Sequence, residues 1–262
     1  MPNITFQGAQ LAGSNACGAY ATTAALHALN NAMNPVNYEM FTPTPHFGSD
    51  TYGLLTPGAV VVNPVHAGAV SPFADMLYGI TGILPSPLPV TPVNSTPATQ
   101  YQPANGPGVV INANQKLSTP YSICSAIQQT APGTTVTVNV TTQCQRFLTD
   151  YFNANGVPGL FDSEAGLIRT LANTSLNLQE NSYYLPSSYI GTNTVQIVLV
   201  GQGGMPSHWL ARGSNDLWYD PASGNPGNAW AFAGPNVDTP LNPFPAANIG
   251  VYTWMGLWIE VA

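Results

Sequence analysis

The chain has 262 residues, enough for one large domain or two small ones with a sizeable core. Charged residues make up 6% of it, against about 25% in an ordinary soluble domain, so uncharged polar residues must cover much of the surface. The formal net charge is −7, with one lysine and three arginines, which excludes a basic patch for binding nucleic acid or an anionic membrane. No run of about 18 apolar residues occurs, so no membrane span is expected.

The first predicted element is a helix over residues 14–34, with Ser14 or Asn15 as its N-cap. Small apolar residues follow along one face, which is typical of a helix that packs closely inside a core. Cys17 would lie in the first turn, where the helix dipole and the free N–H groups favour the thiolate over the thiol.

The middle of the chain is less regular. Residues 42–64 and 84–108 are rich in Pro, Gly, Thr and Asn and are predicted as loops. A capping-box-like start at Asp162 or Ser163 favours a helix there. Hydrophobic spacing predicts these elements: helices over 71–83, 120–131, 142–156 and 162–174, and a strand over 134–142.

The C-terminal third has the pattern of a sheet. Residues 194–201 form a near-continuous apolar strand, and 207–212 with 217–221 form a hairpin around the sequence GSND. Residues 249–262 supply one or two further strands. Helices followed by a mainly antiparallel sheet indicate the α+β class. We expect a single domain, 1–262, with insertions around 40–115.

A catalytic thiol needs a base and a group that orients the base. His208 is the best base, because it follows a flexible Gly-rich segment and opens a strand. Asp220 is the best orienter, since a three-residue hairpin loop would place it directly opposite His208, whereas a four-residue loop would turn it to the other face. Asp216 is a weaker candidate because it lies in the exposed turn.

An oxyanion formed at the substrate carbonyl also needs hydrogen-bond donors. The backbone N–H of Cys17 is one candidate, and the side-chain amide of Gln10 is the best second one. Gln7 is the reserve, and Asn15 is close enough in sequence to contribute. Each residue alone has a commoner structural explanation, such as a buried packing cysteine, but the set together favours catalysis.

The two stretches that carry these residues are Gln10…Asn15-Ala16-Cys17-Gly18 and His208-Trp209…Trp218-Tyr219-Asp220-Pro221, with Gly224 shortly after. As a set they resemble the papain-like cysteine peptidase superfamily, and most of all its compact bacterial branches, the bacteriocin-leader peptidases and effector peptidases. The matched motifs cover about 30 residues. The spacing from Gln10 to Cys17 is seven residues, where the familiar pattern has six.

The resemblance implies a papain-like fold, with a nucleophile-bearing N-terminal helix packed on the C-terminal sheet and a long Pro/Gly/Asn-rich insertion in between. It implies that Cys17 is the nucleophile, His208 the base, Asp220 the orienter and Gln10 the oxyanion donor. The reaction would be cleavage of an amide bond through a thioester, with no cofactor. Residues 40–190 would hold the parts that select the substrate.

Several substrates fit this chemistry. A protein or peptide of a host or prey cell fits a secreted effector or toxin, exported by a leaderless route because no signal segment is visible. A peptidoglycan stem peptide fits too, and so does deamidation or transglutamination of a glutamine. A non-enzymatic module that binds carbohydrate or protein, with an inert Cys17, is the alternative of another class, and a structural or coat-associated protein is the third.

The remaining cysteines and histidines do not form a recognisable metal site. Cys124 and Cys144 are 20 residues apart and could form a disulfide, or both could be reduced thiols. His27, His46 and His66 have spacings that match no zinc pattern. His27 lies about 15 Å along the predicted helix from Cys17, which is too far for it to serve as the base.

Overall fold

The computed structural model describes residues 2–10, 15–29, 40–43, 55–58, 71–85, 116–154, 159–179, 193–202, 205–230, 232–233 and 248–262. The helices in these ranges are α1 (Cys17–Ala28), α2 (Pro72–Thr81), α3 (Pro120–Thr130), α4 (Thr142–Ala154) and α5 (Leu160–Ile168). The strands are β1 (Met40–Pro43), β2 (Leu55–Gly58), β3 (Gly82–Pro85), β4 (Lys116–Ser118), β5 (Val136–Thr141), β6 (Thr174–Gln179), β7 (Val195–Gln202), β8 (Met205–Arg212), β9 (Trp218–Asp220), β10 (Asn225–Asn228), β11 (Phe232–Ala233), β12 (Asn248–Ile249) and β13 (Tyr252–Val261).

Nine of these strands form the main sheet. Their order is β10-β9-β8-β7-β13-β12-β11, and β5 also pairs with β13 and carries β6 on its other side. Within this sheet only β5 and β6 run parallel, and the other pairs are antiparallel. The described part of the chain therefore contains both helices and strands, with a mainly antiparallel sheet. This confirms the general part of the α+β prediction.

The two faces of the sheet pack against different cores. Alternation along the strands sends Ile197, Trp209, Ala211 and Tyr219 into the core that contains the helices. The intervening residues form a second cluster, which includes three tryptophans: Val198, Val200, Leu210, Trp218, Ile249, Tyr252, Trp254 and Trp258. Because both faces are covered, β7 reads as an almost continuous apolar run.

Helix α1 is the buried helix that the alanine-rich pattern predicted, but it is shorter than expected. It starts at Cys17, and its N-cap is Ala16 rather than Ser14 or Asn15. Every residue from Cys17 to Ala28 is buried except His27. The N-cap residue Ala16 makes no side-chain cap, so among the described residues no capping hydroxyl or carboxylate occupies the N–H groups of the first turn.

The β8–β9 hairpin has the predicted strands but a different register. Arg212 pairs with Trp218 and Ala211 with Tyr219, so five residues connect the strands instead of three. The register is therefore two residues away from the expected one. A shift of two keeps every side chain on its face, so Asp220 remains on the same face as His208, diagonally rather than directly across.

Other expectations needed correction. Helix α5 begins at Leu160, and its N-cap residue is Gly159, which has a left-handed φ of 75°. The predicted capping-box-like start at Asp162 or Ser163 is therefore wrong. The helix stops at Ile168, and Thr174 opens the unpredicted strand β6. Short antiparallel pairs, β1 with β2 and β3 with β4, lie partly inside the predicted loops.

The remaining predicted elements are present close to their expected positions, namely α2, α3, α4, β5, β7 and β13. Ser71 caps α2 through its hydroxyl, and Thr119 forms a capping box with Ser122 at the start of α3. No helix among the described residues combines the length and the apolar character needed to cross a membrane.

Candidate active site

His208 and Asp220 form a buried hydrogen-bonded pair at one end of the β8–β9 hairpin. The distance from His208 Nε2 to Asp220 Oδ1 is 2.8 Å, and the two residues are 8% and 6% exposed. Because Nε2 is engaged by the carboxylate, Nδ1 is the ring nitrogen left for another partner. The structure thus brings together the base and the orienter that the sequence suggested.

The Asp220 carboxylate is held by two further donors. The backbone N–H of Ala222 donates to Oδ1 at 2.9 Å, and the Tyr252 hydroxyl donates to Oδ2 at 3.0 Å. Burial opposes the charged form, but the interaction with His208 and these donors together lower the pKa of Asp220. Asp220 is therefore a fixed anion beside the imidazole.

Tyr252 is a site residue that the sequence analysis missed. Its ring stacks on the His208 ring, with centroids 5.1 Å apart and planes inclined by 26°. Tyr252 opens β13, which lies next to β7 and so close to β8 in the sheet. Burial, followed by the charge of Asp220, raises the pKa of Tyr252, so its hydroxyl remains a donor.

Cys17 lies beside the His208 ring at the first position of α1, a helix that packs on β8. Burial lowers the pKa of His208, but the charge and hydrogen bonding of Cys17, together with Asp220, outweigh it and raise the pKa to about 9. The imidazole is therefore protonated at neutral pH when the sulfur is a thiolate. The three predicted residues Cys17, His208 and Asp220 form one constellation.

Gln10 is fixed near this constellation through its backbone. Its N–H donates to the carbonyl of Pro221, the residue that follows Asp220, at 2.9 Å. Gln10 is half-buried, as is Asn15, whereas Gln7 is exposed. The prediction that the Gln10 amide binds the oxyanion stays a prediction.

The other candidates lie apart from the site or outside the described residues. The Asp216 carboxylate is exposed and pairs with Arg212. Cys124 and Cys144 are buried free thiols rather than a disulfide, and burial raises the pKa of both. His27 is exposed, and it contacts Phe6, while His46 and His66 fall outside the described residues. In the described ranges no three potential metal ligands cluster.

A mainly apolar cavity opens next to Cys17 and His208. It spans about 890 Å³ of space free of protein atoms, part of which is open solvent at its mouth. Helices α4 and α5 and strands β5, β6, β7 and β13 supply most of its walls. Glu164 also lines it. A nucleophile candidate and a binding cavity therefore adjoin each other.

Comparisons with protein-family models, curated protein sequences and solved structures found no match to this chain.

Proposed function

We propose that the protein is a cysteine-dependent amide hydrolase, in the manner of a papain-like peptidase, with Cys17, His208 and Asp220 as its catalytic triad. The observation that supports this most strongly is the arrangement of the three groups. The Cys17 thiol, at the N-terminus of α1, lies beside an imidazole whose Nε2 is 2.8 Å from a buried carboxylate. A nucleophile, a base and a group that orients the base are the three parts that this kind of covalent catalysis uses.

In this proposal Cys17 and His208 react as a thiolate–imidazolium pair. The sulfur attacks the carbonyl carbon of an amide, forming a C–S bond and an oxyanion. The N–H groups at the start of α1 and the Gln10 amide donate to that oxyanion. As the C–N bond breaks, His208 Nδ1 gives its proton to the leaving amine, so a thioester remains on Cys17.

Hydrolysis then regenerates the site. A water molecule gives a proton to His208 while its oxygen bonds to the thioester carbon, and the C–S bond breaks to return the thiolate. Asp220 and Tyr252 keep the imidazole oriented throughout. The same residues would serve deamidation of a glutamine, where ammonia leaves, or transfer to an amine instead of water.

Peptide-library digestion tests this proposal. The protein is incubated with proteome-derived peptides and, separately, with purified peptidoglycan, and mass spectrometry identifies new termini and deamidated glutamines. New termini that appear with the parent protein and disappear with Cys17→Ala support a peptidase. Deamidated glutamines without new termini would move the proposal to a deamidase, and products that survive in Cys17→Ala would refute the thioester mechanism.

A further inference from the structure

The cavity beside Cys17 contains a carboxyl group that the catalytic scheme does not use. Among the described residues that line it, Glu164 alone carries a carboxylate. Glu164 lies on α5, and it is 6% exposed. The surrounding walls are apolar and come from both the helices and the sheet: Val138, Leu148, Phe152, Leu160, Leu176 and Leu257.

One oxygen of Glu164 has a structural role, and the other does not. Oε2 accepts the backbone N–H of Tyr121 at 2.8 Å, at the start of α3, so it satisfies a donor of that helix terminus. Oε1 is buried and has no hydrogen-bond partner among the described residues. The contact with the start of α3 therefore accounts for Oε2 but not for Oε1. A buried oxygen without a hydrogen-bond partner is costly unless a ligand binds it.

Glu164 also lacks a counter-charge in the described part of the chain, where the ion pairs are His208–Asp220 and Arg212–Asp216. Burial raises the pKa of Glu164 to about 7, against the opposing effects of the Tyr121 N–H and the Thr119 hydroxyl. A cation arriving from a ligand would remove this penalty, because a buried charge is tolerated when it is paired.

We propose that the cavity binds a basic side chain of the substrate, lysine or arginine, close to the bond that Cys17 attacks. This inference rests on the proposed function. The apolar walls would cover the aliphatic stem of the side chain, and Glu164 Oε1 would accept a hydrogen bond from its ammonium or guanidinium group. The formal net charge of −7 attracts basic peptides over a longer range.

Matched covalent probes test the specificity. Peptidyl acyloxymethyl ketones are prepared in pairs that differ only in the charged end of one side chain, lysine against norleucine and arginine against citrulline, at each position flanking the electrophile. The rate of Cys17 labelling is followed by mass spectrometry. At one position we expect the basic probe to react roughly tenfold faster or more than its neutral partner.

Two variants assign the preference to Glu164. Glu164→Gln keeps an oxygen for the Tyr121 N–H but loses the charge, so the paired probes should react at about equal rates. Asp162→Asn removes an exposed carboxylate from the same helix and should keep the preference. Labelling of each variant by iodoacetamide checks that Cys17 is still folded into a reactive site.

The outcomes separate the two proposals. Equal rates for both members of every pair in the parent protein would overturn the basic-side-chain inference while leaving the hydrolase proposal intact. A preference that survives in a reactive Glu164→Gln protein would overturn the role of Glu164. If no probe labels Cys17 at all, the proposed catalytic function itself fails. The parent comparison decides the matter even if Glu164→Gln does not fold.

Discussion

At the scale of single residues, Asp220 organises the site. One carboxylate oxygen contacts both His208 and the Ala222 N–H, and the other accepts the Tyr252 hydroxyl. The carbonyl of Asp220 also accepts the Gly224 N–H at 2.8 Å, which closes the turn after β9. Side chain and backbone are both fixed, so Asp220 can hold the imidazole in one orientation.

Tyr252→Phe tests whether the tyrosine acts through Asp220. The change keeps the stacked ring but removes one donor to the carboxylate, so the charge on Asp220 is less fixed and the imidazolium less stabilised. We expect the pKa of His208 to fall by a few tenths to about one unit. NMR titration of the four histidines measures this directly.

Tyr219→Phe is the matched control. The Tyr219 hydroxyl donates to the Gly8 carbonyl at 2.6 Å, so this variant also loses one hydrogen bond, at a cost of about 1 kcal/mol of stability. It should leave the His208 titration unchanged, since Tyr219 does not donate to Asp220. A Tyr252→Phe protein that titrates like the parent would contradict the positioning role of Tyr252.

Some of the residues at the candidate site could be predicted from the sequence, and others could not. Cys17, His208 and Asp220 could be proposed because they occur in short motifs with recognisable neighbours. Tyr252 could not, because it is one of twelve tyrosines and only the sheet order brings it to the site. Glu164 could not be proposed either, because it lies inside a predicted helix and nothing local indicates that it lines a cavity.

At the scale of elements, the position of Cys17 depends on how closely α1 approaches β4. A Cβ added at Gly18 would lie 2.4 Å from the Ser118 Cβ and 2.5 Å from its hydroxyl oxygen. Ser118 is itself held, because its hydroxyl donates to Thr81 and its carbonyl accepts the Trp209 indole N–H. The glycine that follows Cys17 therefore sets the distance between these elements.

Gly18→Ala should push the start of α1 away from β4. We expect a loss of about 1–3 kcal/mol in stability, as for other overpacked cores, together with slower alkylation of Cys17. Gly166→Ala provides the contrast, because a Cβ there meets no atom within 4 Å, and it should stabilise α5 by roughly 0.5–1 kcal/mol. Urea unfolding of both variants measures the difference, and equal stabilities would refute the packing argument.

The hairpin shows why elements were easier to predict than their pairing. Alternation and turn residues identified both strands, but the loop length was not encoded so clearly. Asp216 adopts a positive φ of 67°, and the Gly213 N–H bonds to the Leu217 carbonyl, so the turn takes five residues instead of three. The prediction that His208 and Asp220 lie on the same face of the sheet was correct only because the register error was two residues, an even number.

At the scale of the whole molecule, the site depends on contacts between distant parts of the chain. Helix α1 comes from the first described segments, β8 and β9 from the last third, and Tyr252 from the final strand. Hydrophobic patterning indicated a core helix and a sheet, but it could not give the strand order that places β13 beside β7. In that order the sheet has a different hydrophobic core on each face.

Stability should depend on pH through Glu164. Its pKa is raised from 4.5 to about 7 in the folded state, so the folded protein binds more protons at this group than the unfolded chain between these values, and its contribution to stability falls as the pH rises through them. His208 gives no such simple signal, because its pKa is raised to about 9 by the Cys17 thiolate and by Asp220 against the effect of burial. The proton that the thiolate has lost offsets the one that the imidazole keeps.

Urea unfolding of the parent and of Glu164→Gln at several pH values between about 4.5 and 7 gives the two slopes. Stability should fall more steeply with pH, or rise less, in the parent than in Glu164→Gln, which has no titrating carboxyl at this position. Identical slopes in the two proteins would show that the raised pKa of Glu164 does not exist in solution.

The most direct measurement is alkylation of the three cysteines by iodoacetamide at neutral pH, mapped by mass spectrometry. Cys124 and Cys144 serve as internal controls, because both are fully buried and their raised pKa values disfavour the thiolate. We expect selective labelling of Cys17, slowed roughly tenfold or more in His208→Ala by loss of the imidazolium. Labelling of Cys17 no faster than Cys124 and Cys144, or equally fast in His208→Ala, would contradict the proposed triad.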